Sequence, residues 1–90
     1  MELKFTPDAK KDLGWWKQHG DAASKRKIQQ LLTEMEEHPR TGTGKPKQLS
    51  GDRAGQWRRK ISDKHRLVYE IHDTEVVVLV LSTWGHYDDK

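Results

Sequence analysis

The chain has 90 residues, of which 32% are hydrophobic and 34% charged, enough for one small domain with a thin core and no more. It contains no cysteine, which rules out a disulfide scaffold, a thiolate metal site and a Cys nucleophile. The net charge is only +3, yet nine Lys or Arg against two Asp fall between Arg40 and Arg66. A basic stretch interrupted by Trp57 and by glycines points to a phosphate-facing, nucleic-acid-binding surface rather than an ordinary solvated face. No apolar leader opens the sequence and no run is long enough to span a bilayer, so a cytosolic protein without membrane contact is expected.

In chain order, ELKFT alternates and reads as a short strand. TPDAKKDLGWWKQHG reads as a helix, with Thr6 as N-cap, Pro7 at the first position, Asp8 at the positive end of the dipole and Gly20 at the C-terminus. Trp15 and Trp16 are adjacent and point about 100° apart on a helix, so one belongs in the core and the other at a rim or interface. DAASKRKIQQLLTEMEEH is a second helix capped by Asp21, with Ile28, Leu31, Leu32 and Met35 forming one apolar stripe. HPRTGTGKPKQLSGDRAG reads as a long loop, the kind that is usually functional or mobile. QWRRKI and HRLVYEI then alternate, and EVVVLVL is apolar on both faces, which predicts an antiparallel meander with the last strand in the sheet interior. The expected fold is α+β, in the order β-α-α-β-β-β, with two helices on one face of a small antiparallel sheet.

Alternation sets Leu67, Tyr69 and Ile71 towards the helices and Arg66, Val68 and Glu70 away from them. The neighbouring strand then brings Arg59 or Lys60 beside Arg66, and like charges facing each other are costly unless an anion lies between them. A phosphate meets that need. His86 and Tyr87, just past the last strand, can reach the same surface. Basic side chains with a histidine suit phosphodiester cleavage: the cations stabilise charge on phosphorus, and the imidazole moves a proton. RNA supplies its own 2′-hydroxyl nucleophile, so no metal or cofactor is called for.

The stretch GTGKPKQLSGDRAGQWRRKISDKHRLVYEI, followed by VVVLVLSTWGHY, resembles the YoeB (Txe/YoeB) toxins of the RelE/ParE toxin superfamily. Their pattern runs roughly G-x-G-K-P-E-x-L, then G-x-W-S-R-R-I, then E-H-R-L-V-Y, ending in H-Y. The match is collinear from Gly42 to Ile71 and resumes at the C-terminus. The resemblance implies a RelE-like fold and the toxin of a type II toxin–antitoxin system. It further implies a metal-independent mRNA interferase working in the ribosomal A site on mRNA. The implied partners are the ribosome, a YefM-like antitoxin and a second copy in a homodimer.

By the same resemblance, Arg66 stabilises the transition state, while Arg59 and Lys60 hold phosphate; Lys45 and Arg58, the latter where the family has Ser, are further expected members of the RNA-binding set. His86 is the general acid for the 5′-oxygen, and Tyr87 positions substrate. His65 also fits the pattern, in a hairpin or packing role rather than in catalysis. One departure concerns the base. Where the family has the Glu taken as general base, this chain has Lys47, and a protonated lysine cannot accept the 2′-hydroxyl proton. Three readings stay open: surrounding positive charge lowers the Lys47 pKa until it acts as base; Lys47 binds phosphate while another group or water takes the proton; or the toxin is impaired and serves mainly as antitoxin partner and co-repressor.

Overall fold

The computed structural model describes residues 1–83. Strand β1 (Glu2–Phe5) leads into helices α1 (Pro7–His19) and α2 (Ala22–Glu37), followed by β2 (Lys47–Gln48), a short 3-10 turn at Gly51–Arg53, β3 (Gln56–Lys60), β4 (His65–Ile71) and β5 (Glu75–Thr83). Both helices start where the sequence places their caps. The Thr6 hydroxyl accepts from Ala9 N with Pro7 in the first turn, and the Asp21 carboxylate accepts from Ser24 N. Each such cap is worth about 1 kcal/mol.

The sheet has the order β1-β5-β4-β3-β2. The meander is antiparallel as expected, and β5 lies inside the sheet between β1 and β4. The sheet as a whole is mixed, not antiparallel throughout, because β1 runs parallel to β5, with Leu3 opposite Val76 and Phe5 opposite Val78. The helix pair carries the chain across one face before it returns to the sheet. Four residues of strand pattern hold no information about which edge that crossover selects. The other addition is β2, two residues inside the segment read as loop, pairing Lys47 with Arg58 and Gln48 with Trp57.

One core lies between the helices and one face of the sheet. Ala9, Trp16, Ile28, Leu31 and Met35 from the helices meet Leu67, Tyr69, Val76, Val78 and Leu81 from the strands, with Leu32 packed at its margin. The adjacent tryptophans divide as their angular spacing requires: Trp16 is 5% exposed and Trp15 50%. Among the described residues, no helix is long and apolar enough to cross a membrane.

Candidate active site

The face of the sheet away from the helices carries the charge. Strand register pairs Lys47 with Arg58 and Arg58 with Val68, and in the neighbouring row Lys60 with Arg66. Residues paired across antiparallel strands share a face with Cβ atoms about 5 Å apart. Four of the residues expected at the site, Lys47, Arg58, Lys60 and Arg66, therefore stand together, beside the buried Val68 and Val80. Lys45 is exposed at the approach to β2, with a left-handed backbone at φ 52°.

The charges feel one another. Arg66 has its pKa pulled below the ordinary guanidinium value, first by burial and then by repulsion from Arg58. Its Nη1 donates back to Ser62 O at 2.5 Å and His65 O at 3.0 Å, which fixes the guanidinium on the turn between β3 and β4. Lys60 reaches Asp63 in the same turn at 3.0 Å. That pair is largely solvated and contributes little to stability, so Lys60 can leave it at small cost.

Arg59 is the correction. It was expected to hold phosphate, but its side chain is 0% exposed and points into the helix side of the sheet. Alternation is the cause: Trp57, Arg59 and Ile61 take the core face, and Arg58 and Lys60 the open one. The guanidinium is used up inside the protein. Nη2 donates to His38 O at 2.5 Å and Thr41 O at 2.8 Å, Nη1 to Thr43 O and Glu34 Oε1 at 3.2 Å, and Nε to the Tyr69 hydroxyl at 3.2 Å. The same hydroxyl donates to Pro39 O at 2.6 Å. This hub ties the chain from 38 to 43 to the sheet just ahead of β2, where Lys47 joins the open-face row beside Arg58.

Glu34 is the counter-charge. Thr43 gives it both its amide, at 2.8 Å, and its hydroxyl, at 2.7 Å. These bonds, and then the Arg59 charge, hold the Glu34 carboxyl below the usual range. The loop passes so close that two glycines are obligatory. A Cβ on Gly42 (φ 120°) would strike Glu34 Oε1, and one on Gly44 (φ 85°) would crowd Leu31, Lys60 O and the Arg59 side chain at 3.0–3.2 Å. The G-x-G of the sequence motif is thus a packing signature. Sequence reasoning missed Glu34 and Tyr69 as parts of this hub. The inward-facing Tyr69 was the available signal, since a buried tyrosine hydroxyl needs a partner.

His65 takes the packing role expected of it, its ring edge-on to Trp16 with centroids 5.0 Å apart and Nδ1 2.9 Å from Ser62 Oγ. His86 and Tyr87 lie outside the described residues. Among the described residues, no group of His, Asp or Glu is arranged to hold a metal ion.

Comparison with known proteins extends these observations. Residues 5–87 match the family model of the YoeB-like toxin of bacterial type II toxin–antitoxin systems. The chain is similar to a protein named Toxin YoeB from Mycobacterium bovis, with 42% identity over 77 residues covering 86% of this chain and 89% of the relative. A solved YoeB/ParE toxin from Agrobacterium tumefaciens superimposes with a TM-score of 0.85 at 33% identity, covering 92% of this chain and 98% of that one. YoeB from Staphylococcus aureus, solved as a dimer and in complex with YefM, superimposes with a TM-score of 0.80 at 29% and 28% identity, covering 91% of this chain and 94% of that one.

Proposed function

This chain belongs to the YoeB-like toxins of bacterial type II toxin–antitoxin systems, and on that premise we propose that it is a ribosome-dependent endoribonuclease cutting mRNA in the A site. The 2′-oxygen of one nucleotide attacks the adjacent phosphorus. The bond to the 5′-oxygen breaks, leaving a 2′,3′-cyclic phosphate, and His86 gives the departing oxygen its proton. The observation that carries this reading is the paired basic rows, Lys47 with Arg58 and Lys60 with Arg66, on the helix-free face. Arg66 stabilises the charge that develops on phosphorus. Arg58, Lys60 and Lys45 hold the flanking phosphates, and Tyr87 orients the substrate. Arg59 acts on the loop instead.

A second reading has its own support at position 47. Lys47 sits directly opposite Arg58. The open-face carboxylate of β4, Glu70, lies four residues along the strand from Arg66 and is 3.1 Å from His72. Among the described residues, the carboxylates near the basic rows are already engaged, Asp63 by Lys60 and Glu70, opposite Gln56 in the next row, by His72, while Lys47 stands where the family has its glutamate. This favours either a phosphate-binding Lys47, with the 2′-hydroxyl proton going to water or another group, or a toxin of low activity that works mainly through its antitoxin. The fold relatives from Staphylococcus aureus were solved as a dimer and with YefM, which supports a homodimer and a YefM-like antitoxin here. An acidic segment laid over the basic face supplies the charge complementarity such a partner needs.

Primer extension on translated mRNA, with purified protein and ribosomes, tests both readings. A cut within the A-site codon is expected. Lys47→Glu raises cleavage, by about 10²-fold for a restored base, if the chemistry is merely interrupted. It lowers cleavage, as does Lys47→Ala, if Lys47 clamps phosphate. Equal activity in all three would make residue 47 a bystander.

A further inference from the structure

The basic face depends on two pieces of chain keeping a fixed spacing. One is the turn at residues 62–65, whose carbonyls hold Arg66. The other is the end of β5. One side chain on the opposite side of the sheet touches both. Trp16 donates from Nε1 to Leu81 O at 3.0 Å, and its indole packs on His65 of the turn. Four residues earlier on α1, Asp12 accepts the Leu81 amide through Oδ2 at 2.9 Å.

Topology explains why these bonds exist. Among the described residues, β1 ends at Phe5 opposite Val78, so the rest of β5 has no strand on that side. Unpaired backbone groups along a strand must find partners. Helix α1 and its cap supply them. Thr6 N and Oγ1 bond Val78 O and Leu79 O at 3.1 and 2.8 Å, and Asp12 and Trp16 take both polar groups of Leu81. Side chains of a helix thus replace a missing strand, up to the residue paired with Leu67 beside Arg66.

We infer that Trp16 and Asp12 are positioning residues: they fix the end of β5 relative to the turn that holds Arg66, and so the place of Arg66 on the open face. The catalytic consequence rests on the ribonuclease reading given above, whereas the bracket on β5 does not. Neither residue touches RNA. A displacement of about 1 Å between reacting groups can cost on the order of 10²-fold in rate.

Three variants separate positioning from plain stability. Trp16→Phe keeps the ring against His65 and deletes the Nε1 donor. Asp12→Ala deletes the acceptor, and Asp12→Asn keeps one. Backbone amide exchange by NMR is measured alongside single-turnover cleavage and ribosome binding, at a temperature where every variant is folded. In Trp16→Phe and Asp12→Ala, amides 65–66 and 81–83 are expected to lose about 10-fold or more of their protection while those of α2 keep it. Cleavage falls about 10- to 100-fold with ribosome binding unchanged, and Asp12→Asn behaves as the parent on every readout. A uniform loss of protection, parental cleavage in the two deletion variants, or Asp12→Asn as poor as Asp12→Ala overturns the inference. A parent that fails to cleave refutes the ribonuclease reading alone, and the exchange pattern still decides the bracket.

Discussion

Replacing Arg59 by methionine keeps an unbranched apolar stem and removes the guanidinium alone. That guanidinium makes five hydrogen bonds inside the protein, to Glu34, Tyr69 and the carbonyls of His38, Thr41 and Thr43. Counted at roughly 1.5–3 kcal/mol for each bond to a charged group, they would match or exceed the stability of the whole domain. Two offsets reduce the figure. Burying the cation has itself cost free energy, and the carbonyls of His38 and Thr41 belong to exposed residues that water can reach once the loop loosens. The net loss expected is about 3–5 kcal/mol, as when one partner of a buried charge pair is removed, out of the roughly 5–10 kcal/mol available to a domain of this size. Each kcal/mol moves Tm by about 4–8 °C, so the melt should fall by at least about 12 °C. Lys47→Met, exposed on the open face, should stay within about 0.5 kcal/mol of the parent. Urea titrations of both variants, with m unchanged, measure the difference. Equal losses below about 1 kcal/mol would refute the assignment of Arg59 as a buried anchor.

Gly14→Ala should stabilise the protein by up to about 1 kcal/mol, since a Cβ there meets nothing within 4 Å, and a thermal melt checks it. Burial holds the Asp12 carboxyl above its usual range, although the Leu81 amide favours the carboxylate. A group raised in this way adds stability only below its unfolded pKa of about 3.9 and gives it up as pH rises through the folded value. Asp12→Asn should therefore match or exceed the parent in melts near pH 7 and lose that advantage at pH ~3.

Much of this protein was legible in its sequence, and the failures have causes. Caps, the Ile28–Met35 stripe and the strand alternation carry local signals, and the structure repeats them. Alternation separated Arg58 and Lys60 from Arg59 along β3 but left open which of them stands beside Arg66, and the strand register decides for Lys60. The same rule puts Arg59 on the other face, yet the family pattern of paired arginines drew it into the binding set. The inner role of Arg59 could not be read from the chain, because its partners lie 25 residues away at Glu34 and 10 at Tyr69. The Gly42-Thr43-Gly44 motif was visible as a motif but its reason was not, since the Glu34 carboxylate and Leu31 that forbid a side chain there come from α2. The parallel placement of β1 and the bonds from Asp12 and Trp16 to Leu81 depend on a crossover that no local pattern records.

The most direct test of the central claim is single-turnover mRNA cleavage on ribosomes by the parent, Arg66→Ala and His86→Ala, with ribosome binding measured in parallel. The parent is expected to cut, and His86→Ala to lose about 10²–10⁴-fold as a missing general acid does. Arg66→Ala should lose rate with little change in affinity, because its guanidinium acts on charge that exists only in the transition state. Parental rates in both variants, or a loss in Arg66→Ala that is entirely one of binding, would contradict a catalytic centre on this face of the sheet.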